Sequence, residues 1–324
     1  MAHKKPTAYD YNKVNNAKDL FDLIGKYIQQ KAHNEALEHG KDKLQGFLSQ
    51  ATFKHGNKME RGKAELCKLN HIYHTNVTSG YDNDNPCKNR PNIRFSDVIG
   101  GQCTNKKIKG NEVKNGKDIG ACAPFRRLFL CDHHLSYMEA GKINNTHNLL
   151  LEVCLAAQYE GKLLVEKYKE YKKDNPHFDS NICTVLARSF ADIGDIIRGK
   201  DLFIGYDEKD RNEKKQLQQN LKTIFKKIYN DVTKGGKNAQ ELQDRYNDDN
   251  ENYYQLREDW WTLNRKEVWK AITCEAGNDS QYFRRTCGGE NPTHAKCQCA
   301  NTDVPTFFDY VPQYLRWFEE WAED

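Results

Sequence analysis

The chain has 324 residues, of which 37% are hydrophobic and 30% charged, a balance that suits long helices burying one stripe each and argues against an all-β sandwich. Its 50 Lys and Arg face 46 Asp and Glu, a formal charge of +4, so bulk charge does not indicate a nucleic-acid binder and any polyanion site must come from local clustering. No apolar run is long enough to span a membrane, and MAHKKPTAYDYNKVNN at the start lacks the apolar stretch of a secretory signal.

Residues 1 to about 66 contain no cysteine and carry two amphipathic stretches, one with Leu20, Leu23, Ile24, Tyr27 and Ile28, the other with Leu37, Leu44, Phe47 and Leu48. They predict a helical arm packed on something else. From Cys67 to about Gly141 the chain turns to Asn, Gly, Lys and Cys with little periodicity, which predicts a loop-rich, disulfide-stapled unit. After Thr146 come long helices. The first keeps Leu150, Val153, Ala157, Gly161, Leu164 and Tyr168 on one stripe until Asp-Asn-Pro stops it; the second starts near Ser180 and ends at Gly199. A third covers roughly 209 to 232, and the fourth, YYQLREDWWTLNRKEVWKAITC, repeats Trp261, Val268 and Ile272 at helical spacing. Four such helices imply a bundle. Residues 275 to 305 concentrate Gly, Cys and Pro, as a stapled loop over the bundle end would. The last helix begins at Pro312 and ends on Glu319, Glu320, Glu323 and Asp324, acids that oppose the macrodipole and lead us to expect a helix continuing past this chain.

Eleven cysteines are more than a reduced cytosolic protein of this size usually carries and point to an oxidising compartment. An odd count leaves one thiol free or paired outside the chain. Two Cys/His sets, Cys122, Cys131, His133 and His134, and Cys287, His294, Cys297 and Cys299, raise the question of zinc. Neither contains the short Cys-x2-Cys hook of a structural zinc site, so disulfides are the expected use and no metal or cofactor is assigned. No catalytic motif is present: HExxH, GxSxG, GxGxxG and a phosphate loop are all missing. Asp192 and Asp195, three apart, read as solvated partners of Arg188 and Arg198 rather than an acid/base pair. The periodic Trp260, Trp261 and Trp269, with Phe307, Phe308 and Tyr310, read as core. Sequons stand at Asn76, Asn144 and Asn278.

Four blocks together, CAPFRRLFLCDHHL, ARSFADIGDIIRGKDLF, WWTLNRKEVWKAITC and PTFFDYVPQYLRWFEEWAED, resemble the signature blocks of the Duffy-binding-like domain. DIGDIIRGKDLF and PQYLRWFEEW resemble its alpha class, found at the head of the variant surface antigens of malaria parasites, and the similarity runs over about residues 67 to 324. It implies a mainly α fold: an N-terminal segment over 1–66, a first subdomain over 67–141 and a helix-bundle second subdomain over 142–324, with the third absent. It implies nested disulfides Cys103–Cys122 and Cys87–Cys131, with Arg126 and Arg127 satisfying acids or carbonyls at the subdomain junction, and it suggests a Cys183–Cys274 bond. If Cys67 then pairs with Cys154, and Cys287 with Cys299, Cys297 is left unpaired.

The resemblance also implies an adhesin rather than an enzyme, on the outer face of the infected erythrocyte as part of a larger membrane protein, with no membrane insertion by this segment and no nucleic-acid partner. The expected partners are red-cell receptors, above all sulfated glycosaminoglycans, with blood-group glycans and complement receptor in the same class of activity. The alternative is a structural head module whose neighbours carry the adhesion. On the third helix, Arg211, Lys215, Lys222 and Lys226 fall in a sector of roughly 60°, opposite Leu217, Leu221, Ile224, Phe225 and Ile228. This stripe is the leading candidate for glycan contact, against the plain alternative of a solvated face. Lys106, Lys107 and Lys109 form a second candidate patch, and Arg284 with Arg285 a third.

Overall fold

The computed structural model describes residues 14–53, 57–58, 66–77, 86–87, 90–91, 93–95, 102–178, 180–235, 238–247, 251–288 and 291–323. In chain order the helices are α1 (Ala17–His39), α2 (Lys41–Leu44), α3 (Phe125–Leu128), α4 (His133–Ser136), α5 (Thr146–Asp174), α6 (Ile182–Arg198), α7 (Glu208–Val232), α8 (Ala239–Tyr246), α9 (Tyr254–Ile272) and α10 (Gln313–Glu323). Named strands among the described residues form two antiparallel hairpins, β1 (Thr52–Phe53) with β2 (Asn57–Lys58), and β3 (Glu112–Lys114) with β4 (Lys117–Ile119). The fold is mainly α, as the patterning implies. The four long periodic segments are α5, α6, α7 and α9. The N-terminal arm differs in detail, because Leu20 through Leu37 lie on one continuous helix. Helix α8 has only Leu242 and Tyr246 buried, too thin an apolar pattern to be seen in the sequence.

The starts of α5, α6 and α7 are each fixed by a polar side chain that takes up an otherwise unpaired amide: Asn145 accepts from Asn148, Asn181 from Cys183 and Asp207 from Asp210. The central core lies where α5, α6 and α9 meet. Trp260, Trp261 and Trp269 are buried there, and the Phe190 ring sits 5.1 Å from that of Trp261 and 5.3 Å from that of Trp269. Each indole N–H is satisfied: Trp260 donates to Thr146 Oγ1, Trp261 to Asp309 Oδ2 and Trp269 to the Cys297 carbonyl.

Helix α6 is buried at every position, which corrects the reading of its charges as solvated. Asp192 lies 2.7 Å from both Arg126 and Arg316, Asp195 is 2.5 Å from Arg316 and 2.9 Å from Arg198, and Arg188 is 2.8 Å from Glu319. Arg198 and Asp195 are thus partners as the spacing suggests, but inside the protein. Arg126 also binds Glu320, and Arg127 binds Asp201, so the two arginines of the CAPFRRLFLCDHH block meet acids. The acids near the C-terminal end of α10 have the same explanation. Glu319, Glu320 and Glu323 oppose the macrodipole because they face buried arginines, with Glu323 2.6 Å from Arg188. Asp324 lies outside the described residues. Burial pushes the Asp192 carboxyl up, but Arg126, Arg316 and Arg127 more than offset this and hold it at about 2.

The cysteines pair as Cys103–Cys122, Cys87–Cys131, Cys287–Cys299, Cys67–Cys274 and Cys183–Cys297, and Cys154 is a free thiol. The last three assignments correct Cys183–Cys274, Cys67–Cys154 and an unpaired Cys297. Cys274, just past α9, has its Cα 5.4 Å from that of Cys67, whereas the loop after α9 returns Cys297 to the first turn of α6, with its Cα 5.5 Å from that of Cys183. Cys154 points into the apolar core about a third of the way along α5 and is fully buried, which pushes its thiol well above the usual range.

The arm docks by close approach. A Cβ on Gly25 of α1 would stand 2.3 Å from the Phe307 carbonyl oxygen, so only glycine lets the helix lie this near. Asp22 beside it accepts from the Phe307 amide and the Tyr282 hydroxyl, and it lies 3.2 Å from Arg284.

Three measurements check this description. Replacing Asp192 by Asn, which strips a buried carboxylate from two guanidinium groups, should cost about 3–5 kcal/mol in denaturant unfolding. Alkylation of unreduced protein should modify no cysteine in the native state and one in denaturant, with peptide mapping finding it at Cys154. Asp22 adds a pH dependence. Burial raises its carboxyl from 3.8 to about 6 despite Arg284, so its protonated form favours the docked arm. That contribution is full below about 3.8 and is lost as pH rises through about 6, a swing of about 3 kcal/mol. Once the intrinsic slowing of exchange in acid is divided out, the protection of α1 should therefore rise between neutral pH and pH 5, and the Asp22→Asn variant should lack that rise.

Candidate functional site

The loop carrying Lys106, Lys107 and Lys109 is shaped by its single apolar residue. Ile108 is fully buried and packs with Ala123, Leu128, Phe203 and Trp317 in a small second core. Driving Ile108 inward turns its neighbours outward, leaving Lys106 and Lys109 exposed and Lys107 half-buried. The base is closed by the Cys103–Cys122 bond and by Asn111, whose side-chain amide donates to the Cys103 and Ala121 carbonyls. Backbone bonds then tie the loop to the segment before α7: the Lys109 amide donates to the Leu202 carbonyl and the Ile204 amide to the Lys107 carbonyl, each at 2.8 Å.

Helix α7 begins three residues past that segment. Its apolar side, Leu217, Leu221, Ile224, Phe225, Ile228 and Val232, is buried as the periodicity predicts. The basic stripe opposite is not uniform. Arg211 Nη2 lies 3.5 Å from the Lys106 carbonyl oxygen, which brings the start of the stripe and the lysine loop together. Lys215, one turn on, is exposed. Lys222 turns toward a cleft that Lys109 also lines. Lys226 is 2.6 Å from Glu251, so its charge is matched at short range. Lys214, adjacent in sequence, is instead buried, 2.5 Å from Asp132 and 3.5 Å from Asp210. Of the third patch, Arg284 is engaged in holding α1 and Arg285 is exposed.

Beneath the lysine loop the charges are dense and mutually satisfied. Arg90 bridges Asp132 and Asp210, and Arg90 with Lys214 and Arg127 holds the Asp132 carboxyl well below its usual range against the effect of burial. His133, next to Asp132, is pushed down to about 4 by burial and by Arg90, so it is neutral at physiological pH. His134 Nε2 is 2.6 Å from the buried Glu152. With Cys122 and Cys131 in disulfides, both histidines serve packing, and no metal-binding cluster occurs among the described residues.

Sequence reasoning missed Arg257. It lies on the aromatic stripe of α9, three and four residues before Trp260 and Trp261, and that placement was the available signal. Its Nε donates to the Ile197 carbonyl at 2.6 Å, and Nη2 donates to the Ile196 carbonyl at 3.2 Å and to Gln218 Oε1 at 2.9 Å. All three acceptors are neutral. Burial pushes this guanidinium down to about 10.

The family model of the Duffy binding domain matches residues 120–316, from the Cys122 block to Arg316, and a second model, the N-terminal segments of PfEMP1, matches residues 16–52. The chain belongs to the Duffy binding domain family. A solved NTS-DBL1-alpha and CIDR-gamma double domain of PfEMP1 from the Plasmodium falciparum varO strain is 35% identical to this Duffy binding domain, with a TM-score of 0.74 over 95% of this chain and 43% of that one. A DBLb domain of PfEMP1 bound to human ICAM-1 is 30% identical, with a TM-score of 0.69 over 98% of this chain and 63% of that one. The Duffy receptor beta form of Plasmodium knowlesi is 26% identical over 235 residues, and the match spans 16% of that receptor. No helix among the described residues of this Duffy binding domain is long and apolar enough to cross a membrane.

Proposed function

We propose that this domain is an adhesion module displayed outward on the infected erythrocyte, and that it binds sulfated glycosaminoglycans of red cells. The contact surface is formed by Lys106, Lys107, Lys109, Arg211 and Lys215, with Lys222 at its edge. Membership of the Duffy binding domain family, one of whose solved members is bound to human ICAM-1, supports an adhesive rather than a catalytic role.

One observation carries the glycan reading: two basic segments about a hundred residues apart are joined at the Arg211 contact with Lys106 and by the backbone bonds at Lys107 and Lys109. Outward-facing lysines on a disulfide-pinned loop, continued by a helix edge, suit an extended polyanion, which gains from several separated point charges. Lys226 drops out of the surface because Glu251 matches it. The Lys106→Ser, Lys107→Ser, Lys215→Ser triple variant should bind heparin about tenfold more weakly, while Lys226→Ser should change little. The retention of the native protein should fall steeply with salt, because exposed charges are screened over about 8 Å at physiological ionic strength. Unchanged retention of a triple variant with native circular dichroism would favour the structural head module instead.

A further inference from the structure

We propose that the cleft between the end of α6, the first half of α7 and the start of α9 is a receptor for one sulfate ester of such a glycan, with Arg257 as its recognition group. This deepens the reading above and rests on it. The cleft has a volume of about 220 Å³, enough for a sulfated group and part of one sugar but not for a longer segment, and Lys109, Lys214, Lys222 and Arg257 contribute to its walls.

Arg257 differs from the other buried arginines. Arg126, Arg127, Arg188, Arg198 and Arg316 each face a carboxylate, whereas Arg257, 2% exposed, pairs with no acid among the described residues. Its Nε and Nη2 are spent on neutral oxygens at the C-terminal end of α6 and on Gln218. Its Nη1 has no hydrogen-bond partner among the described residues. Gly199, the left-handed cap of α6 at φ +75, lets the guanidinium lie against the backbone, since a Cβ there would stand 2.9 Å from Nη1 and 3.0 Å from Cζ. A guanidinium fixed on one side, lacking a counter-ion and holding a spare N–H at a cleft wall, is preorganised for an oxyanion.

The remaining charges of the cleft agree with this. Among the described residues two acids line it, Asp132 and Asp201, but each is already engaged, Asp132 by Arg90 and Lys214 and Asp201 by Arg127. Lys109 links the cleft to the outer surface, so a chain lying along Lys106, Lys107 and Lys215 can turn one sulfate inward.

Calorimetric titration with a sulfated heparin tetrasaccharide, at constant ionic strength, tests the assignment. Arg257→Gln and, separately, Lys109→Ser should each weaken binding about fivefold to tenfold. Inorganic sulfate should compete where chloride does not, and hyaluronan, which carries carboxylates alone, should not compete. If Arg257→Gln keeps native circular dichroism and binds as the native protein does, the cleft assignment is overturned, and the outer-surface reading survives if the Lys106, Lys107 and Lys215 triple variant is impaired. If Arg257→Gln does not fold, the exposed Lys109→Ser variant decides, and unchanged binding overturns the proposal. Thermal stabilisation by inorganic sulfate in a native protein that ignores the tetrasaccharide would mean a site for the free anion, and would overturn the glycan assignment.

Discussion

The structure depends on one costly arrangement: a helix with four charged side chains that is buried on all sides. Removing Arg188, Asp192, Asp195 and Arg198 from water is tolerable only if every neighbour supplies an opposite charge in good geometry. That requirement dictates the composition of what surrounds α6. It explains why a short turn offers Arg126 to Asp192 and why α10 has an inverted character. In α10 Gln313, Arg316, Glu319 and Glu320 are buried beside Trp317, while Tyr314 and Phe318 are exposed. An amphipathic helix normally sinks its apolar stripe. Here the polar stripe is inside because the ions of α6 are there.

This inversion also marks the limit of what the sequence makes legible. Periodicity locates helices well, since α5, α6, α7 and α9 are long and strongly patterned. It says nothing of whether a charge three residues from another is wet or dry. Asp192 and Asp195 look like any helix-surface partners of arginines three or four residues away, and only the packing of α3 and α10 reveals them as interior. Family similarity supplied Cys103–Cys122 and Cys87–Cys131, which are present, but also Cys183–Cys274, which is not. The correct partners of Cys183 and Cys67 depend on how the loop after α9 folds back, which no local pattern encodes, and Cys154, on the α5 stripe among leucines and alanines, looked no different from a cysteine awaiting a partner.

The candidate surface shows the same division. A helical wheel puts Arg211, Lys215, Lys222 and Lys226 in one sector correctly, yet a wheel cannot show that Glu251 comes to Lys226, or that the lysine loop comes to Arg211. Two patches read as separate alternatives are one surface at the start of α7. Conversely, Lys214 sits beside Lys215 and is interior, because its position on the wheel falls within the apolar face, between Leu221 and Phe225, and Asp132 lies underneath.

The hairpin of β3 and β4 leads somewhere else. Every residue of both strands is exposed, Val113 and Ile119 included, and the hairpin is anchored at its foot by the Cys103–Cys122 bond and the Asn111 side chain. Nothing in the interior inspects what the tip is made of. Such a projection can change sequence, length and charge from one copy of the fold to another without disturbing α6 or the cysteine pairing, so the face turned wholly to solvent is also the part this domain can alter at least cost.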